Sequence, residues 1–453
     1  MFKKIAILGA GESGVGAAIL AKDKGIEVFL SDASAIKPKY LSILKEENIP
    51  FEENRHTPAK ILDADVIIKS PGIPPTAEIV LQAEQSGIPI LSEIEFAGFF
   101  TQSRMVCITG SNGKTTTTSL IYHILQKAGL DVGLAGNIGK SLAYQVSRDP
   151  HKIYVIELSS FQLENMYKFK ANIAVIMNIT PDHLDRYDYK MENYIKAKFR
   201  ILNNMTCEDA FIYWENDEII NSQLRKLETE ARKLPFAKDH ESENTAAYVE
   251  DESVIFDIEG YKKWNMPRAD LALNGLHNLY NSMAAGLSAS FLNIKKDTIR
   301  EALSDFKGVE HRLEQVACVK GVTFVNDSKA TNVDSCWYAL ESMPKNNKSV
   351  VLILGGKDKG NDYSQIKALV DEKVKAIVAM GKDNSKILNY FTDIDVYDTH
   401  SIDEAFNKCV ELAHNGDTVL LSPCCASFDL FNSYEHRGQL FKELVINYKN
   451  KIN

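Results

Sequence analysis

Lys114 and Thr115 are the residues whose types and setting most clearly suit chemistry. They close the phosphate-loop part of MVCITGSNGKTTTT, Met105–Thr118. A short apolar run through Val106 and Ile108 reads as a buried strand. It breaks at Gly110-Ser111-Asn112-Gly113, and Lys114 opens a helix that runs through Thr116, Leu120, Ile121 and Ile124. A strand, a glycine turn and a helix N-terminus form an anion site, because backbone N–H groups and the helix dipole both favour negative charge there. Lys114 adds a full positive charge, and the Thr115 hydroxyl suits a magnesium ion bridging phosphates. Ile108 stands where the usual loop has its first glycine, so this is a shortened variant. The chemistry is that of a nucleoside triphosphate site.

Two more strand ends deliver groups to the same edge. KIYVIEL, Lys152–Leu158, carries Glu157 and is followed by Ser159-Ser160. NIAVIMN, Asn172–Asn178, runs into Ile179-Thr180-Pro181-Asp182-His183. Glu157 is the natural second magnesium ligand, while His183 taken alone is as readily a packed imidazole as a ligand. The helix expected over Met191–Asn203 carries Lys196, Lys198 and Arg200, and nothing local singles out Lys198 from a solvated face. Apolar runs of this kind separated by helices predict a parallel sheet covered on both faces. Residues from about Leu224 to Glu252 are charge-rich and read as exposed loops or edge strands. Leu273–Ser290 then reads as a helix with Asn278 and Asn281 near its entry, Asn278 suited to a cap and Asn281 to a nucleotide.

The elements that frame this centre are of the same type. Lys4–Leu8 is a strand followed by Gly9-Ala10-Gly11-Glu12-Ser13-Gly14 and a helix. The next strand, Glu27–Leu30, ends at Ser31-Asp32. That is the dinucleotide fingerprint, glycines for the phosphate approach and an acid about 20 positions on for a ribose. A nicotinamide-dependent oxidoreductase is thus one alternative, and uridine diphosphate satisfies the same geometry. Asp65–Lys69 leads into the stiff turn Ser70-Pro71-Gly72-Ile73-Pro74-Pro75. After Gly308 a third series begins, with polar loops directly after strands at Asn326–Asn332, Gly355–Gly360 and Ser422–Tyr434. These three loops are expected to meet on one edge.

With 453 residues the chain needs about two or three cores. A hydrophobic content of 45% and a charged content of 25% are those of a globular protein. A net charge of −9 without a basic stripe argues against nucleic-acid binding. No apolar run approaches the roughly 20 residues of a membrane span, and the N-terminus enters a strand without a signal-peptide pattern. Seven scattered cysteines read as reduced thiols of a cytoplasmic protein, and Cys424-Cys425 as small buried side chains.

TGSNGKTT, ELSS, NITPDHLDRY, AKFRI, LNGLHNLYN, EHRLE, NDSKATN and LLSPCCASFD occur here in order, and together they resemble the Mur ligase family over essentially the whole chain. NDSKATN after EHRLE, with the N-terminal GAGESG, is similar to the D-glutamate-adding branch. The resemblance implies three α/β domains: a Rossmann-like UDP-sugar domain over 1–95, a central P-loop ATPase-like domain with a parallel sheet over 96–307, and a Rossmann-like amino-acid domain over 308–453. It implies ATP-dependent amide ligation in cytoplasmic peptidoglycan synthesis, on UDP-N-acetylmuramoyl-L-alanine and D-glutamate, by a monomer that neither enters membranes nor binds nucleic acid. The alternatives are another Mur-type amino-acid ligase, the oxidoreductase, or a P-loop regulatory protein without chemistry.

By motif match, the resemblance assigns Gly110, Ser111, Asn112, Gly113, Lys114, Thr115 and Thr116 to the ATP phosphates. Thr115 and Glu157 would hold one Mg2+, and His183 with a carbamylated Lys198 a second. Asn281, Arg312, Asp327 and Lys329 are expected at ATP. Glu12, Ser13, Asp32, Ser70 and Gly72 are expected at the uridine diphosphate, with Asn137, Ser159 and His183 at the acyl end of that substrate. Thr331, Lys359, Ser427, Phe428 and Tyr434 are expected at D-glutamate.

Overall fold

A computed structural model describes residues 2–344 and 348–452. The chain forms an α/β fold with three sheets, and it groups into two compact units, Met1–Leu271 with Tyr280–Phe306, and Ala272–Leu279 with Lys307–Asn453. Among the described residues no helix is long and apolar enough to cross a membrane.

The first unit holds two sheets. One is fully parallel, its strands in spatial order Phe51–Glu52, Glu27–Ser31, Lys4–Leu8, Val66–Lys69 and Ile90–Leu91. The reversal of strand order falls beside Lys4–Leu8, so the crevice at its carboxyl end is where such sheets take a ligand. The other sheet has nine strands. Its parallel part runs Val132–Gly136, Ile153–Glu157, Arg104–Thr109, Ile173–Ile176, Ala210–Trp214, Arg232–Phe236 and Ala247–Glu250, and two antiparallel strands, Ser253–Phe256 and Trp264–Pro267, finish the edge. Val106, Ile108, Val155, Ile156, Ala174 and Val175 are fully buried, which is why these strands read as unbroken apolar runs.

The charge-rich stretch before Glu252 does form edge strands, but their inner face is less exposed than the composition suggests. Leu234, Phe236, Ala247 and Tyr248 are buried, and Trp264 stacks on Phe256 with ring centroids 4.0 Å apart. Alternation is short there, so the charged outer face dominates the sequence signal. The helix expected over Met191–Asn203 stops at Phe199 and tightens into a 3-10 turn over Arg200–Leu202.

The second unit has a six-stranded sheet in the order Glu314–Val319, Val322–Asn326, Thr418–Cys424, Val350–Gly355, Val374–Met380 and Val396–Thr399. Only the first pair is antiparallel. Since Val322–Asn326, Thr418–Cys424 and Val350–Gly355 are parallel neighbours, their loops emerge on one edge, as expected. Hydrogen bonds tie those loops together, among them Ser328 Oγ donating to Tyr434 O at 2.8 Å and Lys357 N to Ala426 O at 2.8 Å.

Candidate active site

The glycine turn after Arg104–Thr109 is shaped by two positive φ angles, 148° at Gly110 and 83° at Gly113. Gly113 is favoured by its positive φ, and a Cβ there would lie 2.6 Å from Asn281 Oδ1, so that side chain would have to move. The loop is pinned from the neighbouring strand end. Ser111 N donates to Asn178 O at 2.9 Å, Asn112 N to Asn178 Oδ1 at 2.8 Å, and Ser111 Oγ to Thr180 O at 2.8 Å. Helix Lys114–Lys127 starts directly at this turn. Lys114 Nζ arches back over the loop to Gly110 O and Ser111 O, each at 2.8 Å. Thr115 and Thr116 are buried in the first turn, and Thr117 Oγ1 donates to Asn281 Oδ1 at 3.1 Å.

Strand pairing sets Glu157 beside Ile108, at the edge where the turn begins. The carboxylate is buried. Its Oε1 accepts from Asn137 Nδ2 at 2.8 Å, and Asn137 N donates to Glu157 O at 2.9 Å. Glu157 Oε2 has no hydrogen-bond partner among the described residues. Leaving such an oxygen buried and unpaired costs roughly 1–3 kcal/mol. A hard divalent cation is the group that fits a buried free carboxylate oxygen beside threonine hydroxyls and phosphate-binding amides.

Lys198 is 1% exposed, and its Nζ donates to Gly110 O at 2.7 Å. Burial, with the Lys114 ammonium adding to it, holds this amine well below the usual lysine range, against the pull of Asp182 and Glu157. A lysine on such a helix is most often solvated, but helix Met191–Phe199 turns Lys198 inward. His183 is half-buried, at φ 52°, with its N–H donating to Asp182 Oδ1 at 2.9 Å and its ring edge-on to Phe161 at 5.1 Å. Ser159 has a structural role. It caps the helix Ser160–Leu163 in a reciprocal pair with Gln162.

At the first turn of the chain, Asp32 Oδ2 accepts from Ala10 N at 2.7 Å and Oδ1 from Ser34 N at 2.8 Å. Ser70 N donates to Leu8 O at 2.9 Å. Glu12 and Ser13 begin helix Glu12–Asp23, and Glu12 Oε2 accepts from Tyr40 Oη at 3.1 Å. Gly9, Asp32, His56, Gly72 and Pro74 line a cleft of about 440 Å³.

In the second unit Asp327 is buried, accepting from Ser422 Oγ at 2.8 Å and from Leu313 N at 3.2 Å. Burial lifts its carboxyl to about 6, against the nearby Arg312. Lys329 Nζ sits 5.2 Å from the centre of the Tyr434 ring. Ser427 is buried, Thr331 half-buried and Phe428 70% exposed. Lys359 is exposed on its loop, and no bond joins it to Thr331, Ser427 or Tyr434 among the described residues. Sequence reading passed over Arg437, which is fully buried and donates to Ser328 Oγ, Ser328 O and Cys425 O at 3.0, 2.8 and 3.2 Å. An arginine between Glu435, His436 and Gly438 reads as a surface residue.

Three family patterns match along the chain: the MurD N-terminal domain over residues 4–79, the Mur ligase middle domain over 108–289, and the Mur ligase glutamate ligase domain over 311–425. The chain is 59% identical over 446 residues to the UDP-N-acetylmuramoylalanine--D-glutamate ligase of Bacteroides fragilis, covering 98% of this chain and 99% of that protein. It belongs to the Mur ligase family. The Porphyromonas gingivalis enzyme of the same name is 55% identical over 445 residues, with 98% of each chain covered. Among solved Mur ligases, MurF from Acinetobacter baumannii shares the fold with a TM-score of 0.63 at 18% identity, covering 95% of this chain and 98% of that one. UDP-N-acetylmuramate-alanine ligase MurC from Thermotoga maritima gives 0.61 at 18%, covering 99% and 100%. The family and the α/β class expected from the motifs are thus both found.

Proposed function

We propose that the protein is an ATP-dependent carboxylate–amine ligase that joins D-glutamate to UDP-N-acetylmuramoyl-L-alanine in cytoplasmic peptidoglycan synthesis, acting as a monomer. What carries this reading is the company the phosphate loop keeps. A buried carboxylate with an open oxygen lies beside it, and so does the buried amine of Lys198, which with His183 makes a pair that a nucleotide switch does not need. Full-length relatives named as the D-glutamate ligase supply the substrate class.

The alanyl carboxylate of the substrate attacks the γ-phosphorus of ATP, releasing ADP and leaving an acyl phosphate. The amine of D-glutamate then attacks the carbonyl carbon, the C–O bond to phosphate breaks, and the amine proton leaves as the amide forms. Phosphorylation turns a poor electrophile into one with a good leaving group, so the protein's task is alignment and charge. Lys114 and the amides from Gly110 to Thr116 hold the phosphates, with Asn281, Arg312, Asp327 and Lys329 assigned to the nucleotide. Thr115 and Glu157 hold one Mg2+ and His183 and Lys198 a second, and these ions offset the phosphate charge when bound.

For Lys198 to serve as a ligand it must lose its positive charge. The neutral amine adds CO2, forming an N–C bond and releasing one proton, and the carbamate oxygens are the hard donors magnesium prefers. The low proton affinity imposed by burial is what that addition needs. Residues 1–95 take the uridine diphosphate through Glu12, Ser13, Asp32, Ser70 and Gly72, and Asn137, Ser159 and His183 meet the acyl end. Residues 96–307 take ATP. Residues 308–453 take D-glutamate through Thr331, Lys359, Ser427, Phe428 and Tyr434.

The test is phosphate release from ATP with UDP-N-acetylmuramoyl-L-alanine and a panel of amino acids. Stoichiometric release with D-glutamate supports the proposal. Preference for another amino acid would make it a different Mur-type ligase, and turnover without any acceptor would rule out ligation.

A further inference from the structure

Arg186 follows His183 by three residues, and its sequence context does not single it out. Its side chain is only 9% exposed. Nε and Nη2 grip Glu164 as a fork, at 3.2 and 2.9 Å. The other edge of the guanidinium donates to two backbone carbonyls of the Ser70–Pro75 turn, Nη1 to Pro71 O at 3.0 Å and Nη2 to Ile73 O at 3.3 Å. The guanidinium face lies 4.1 Å from the centre of the Phe161 ring, and that ring meets His183 edge-on at 5.1 Å. Tyr187 Oη adds a bond to the same Glu164, at 2.8 Å. One planar cation thus touches the turn of the first sheet and the aromatic support of His183 in the second.

Its effect on His183 has a physical basis. His183 stands at φ 52°, a conformation an L-residue keeps only when its surroundings hold it there. Arg186 N donates to His183 O at 3.1 Å, a main-chain bond that any residue there keeps, so the side chain acts on His183 through Phe161. Lys69 serves as a natural contrast. Its buried Nζ also donates to Ile73 O, at 2.9 Å, while among the described residues it makes no hydrogen bond to Glu164 and no ring contact with Phe161.

We infer that Arg186 is a positioning residue that couples the seating of the UDP-sugar in the Ser70–Pro75 turn to the posture of His183 at the metal and acyl end. The inference rests on the function proposed above. A guanidinium is needed because the contacts are planar and four-way, which an ammonium cannot reproduce.

The experiment compares Arg186→Met, Arg186→Lys, Phe161→Leu and Lys69→Met in the full chain, measuring kcat, KM for each substrate and the Mg2+ concentration for half-activity. Both Arg186 variants should raise KM for the UDP-sugar and the Mg2+ requirement together, each about tenfold, with KM for ATP within about twofold and kcat/KM down about 10²-fold. Phe161→Leu should raise only the Mg2+ requirement, and Lys69→Met only KM for the UDP-sugar. Full activity of Arg186→Lys, or a lowered melting temperature with all these constants unchanged, would overturn the inference. If Arg186→Met fails to fold, Arg186→Lys decides it, since it keeps the charge and loses the planar fork: joint shifts in both constants support the coupling, and a shift in neither or in only one of them contradicts it. A wild-type protein that releases no phosphate with D-glutamate overturns the underlying function instead, so the two failures are distinct.

Discussion

The turn Gly9–Gly14 and the turn Gly110–Gly113 both join a buried parallel strand to a helix, and both need glycine, Gly9 at φ 94° and Gly113 at 83°. A Cβ on Gly9 would lie 2.7 Å from Ser70 Oγ, just as one on Gly113 would strike Asn281. Beyond the turn they diverge. The first helix opens with Glu12 and Ser13, and its acid, Asp32, spends both oxygens on backbone N–H groups. The second opens with Lys114 and Thr115, and its acid, Glu157, keeps one oxygen open. A diphosphate that is only held needs amides and a helix end. A phosphoryl group that is transferred also needs a movable cation and a metal, and only the second turn is equipped for both.

If that contrast is right, removing Lys114 should have the largest effect. Lys114→Ala is expected to lower kcat/KM by roughly 10³-fold while leaving UDP-sugar affinity unchanged, checked by turnover and calorimetry side by side. Equal loss at both ligands would mean that the two turns do not divide the work.

Lys198→Ala should fall nearly as far, roughly 10²–10³-fold, and recover in part with a small added carboxylic acid, whereas Lys198→Arg should not recover. Retained activity of Lys198→Ala in CO2-free buffer would remove the carbamate from the account.

Glu93 joins the two regions. It is buried, and it accepts from Ser141 Oγ and Ala143 N, each at 2.6 Å, at the start of the helix that packs on the first one. Burial raises its carboxyl from the ordinary value of 4.5 to about 7. Between those values the folded chain keeps a proton that the unfolded chain has released, so stability should decline as pH rises from 4.5 to 7. Glu93→Gln should flatten that slope by on the order of 2 kcal/mol in denaturant melts across this range. An unchanged slope would show that the carboxyl is ionised when folded.

The smallest effect is expected at the first turn. Asp32→Ala removes an acceptor from Ala10 N and should weaken the UDP-sugar by about 1 kcal/mol, with no gain or loss of NAD binding. Micromolar NAD affinity in calorimetry would restore the oxidoreductase reading.

What the sequence made legible follows from the same contrast. Both glycine turns and the buried strands were readable because Val106–Ile108 and Val155–Ile156 are apolar on both faces, leaving a run no loop would have. The short edge strand Val396–Thr399 was missed, since only Thr399 is buried and no pattern of period two can show in so few residues. Lys198, Arg186 and Arg437 were opaque to local reading. A buried cation differs from a surface one only through what folds around it, and those partners lie far away in the chain. Lys198 was reached through family resemblance, Arg186 and Arg437 through structure alone.

In the proposed mechanism the second turn drives phosphorylation of the substrate carboxylate. Its most direct test uses UDP-N-acetylmuramoyl-L-alanine labelled with oxygen-18 in the alanyl carboxylate, with ATP and D-glutamate, and mass analysis of the released phosphate. The acyl-phosphate route breaks the C–O bond after that oxygen has joined phosphorus, so each phosphate should carry one labelled atom. Phosphate whose new oxygen comes from water, with the label retained in the sugar nucleotide, would contradict it.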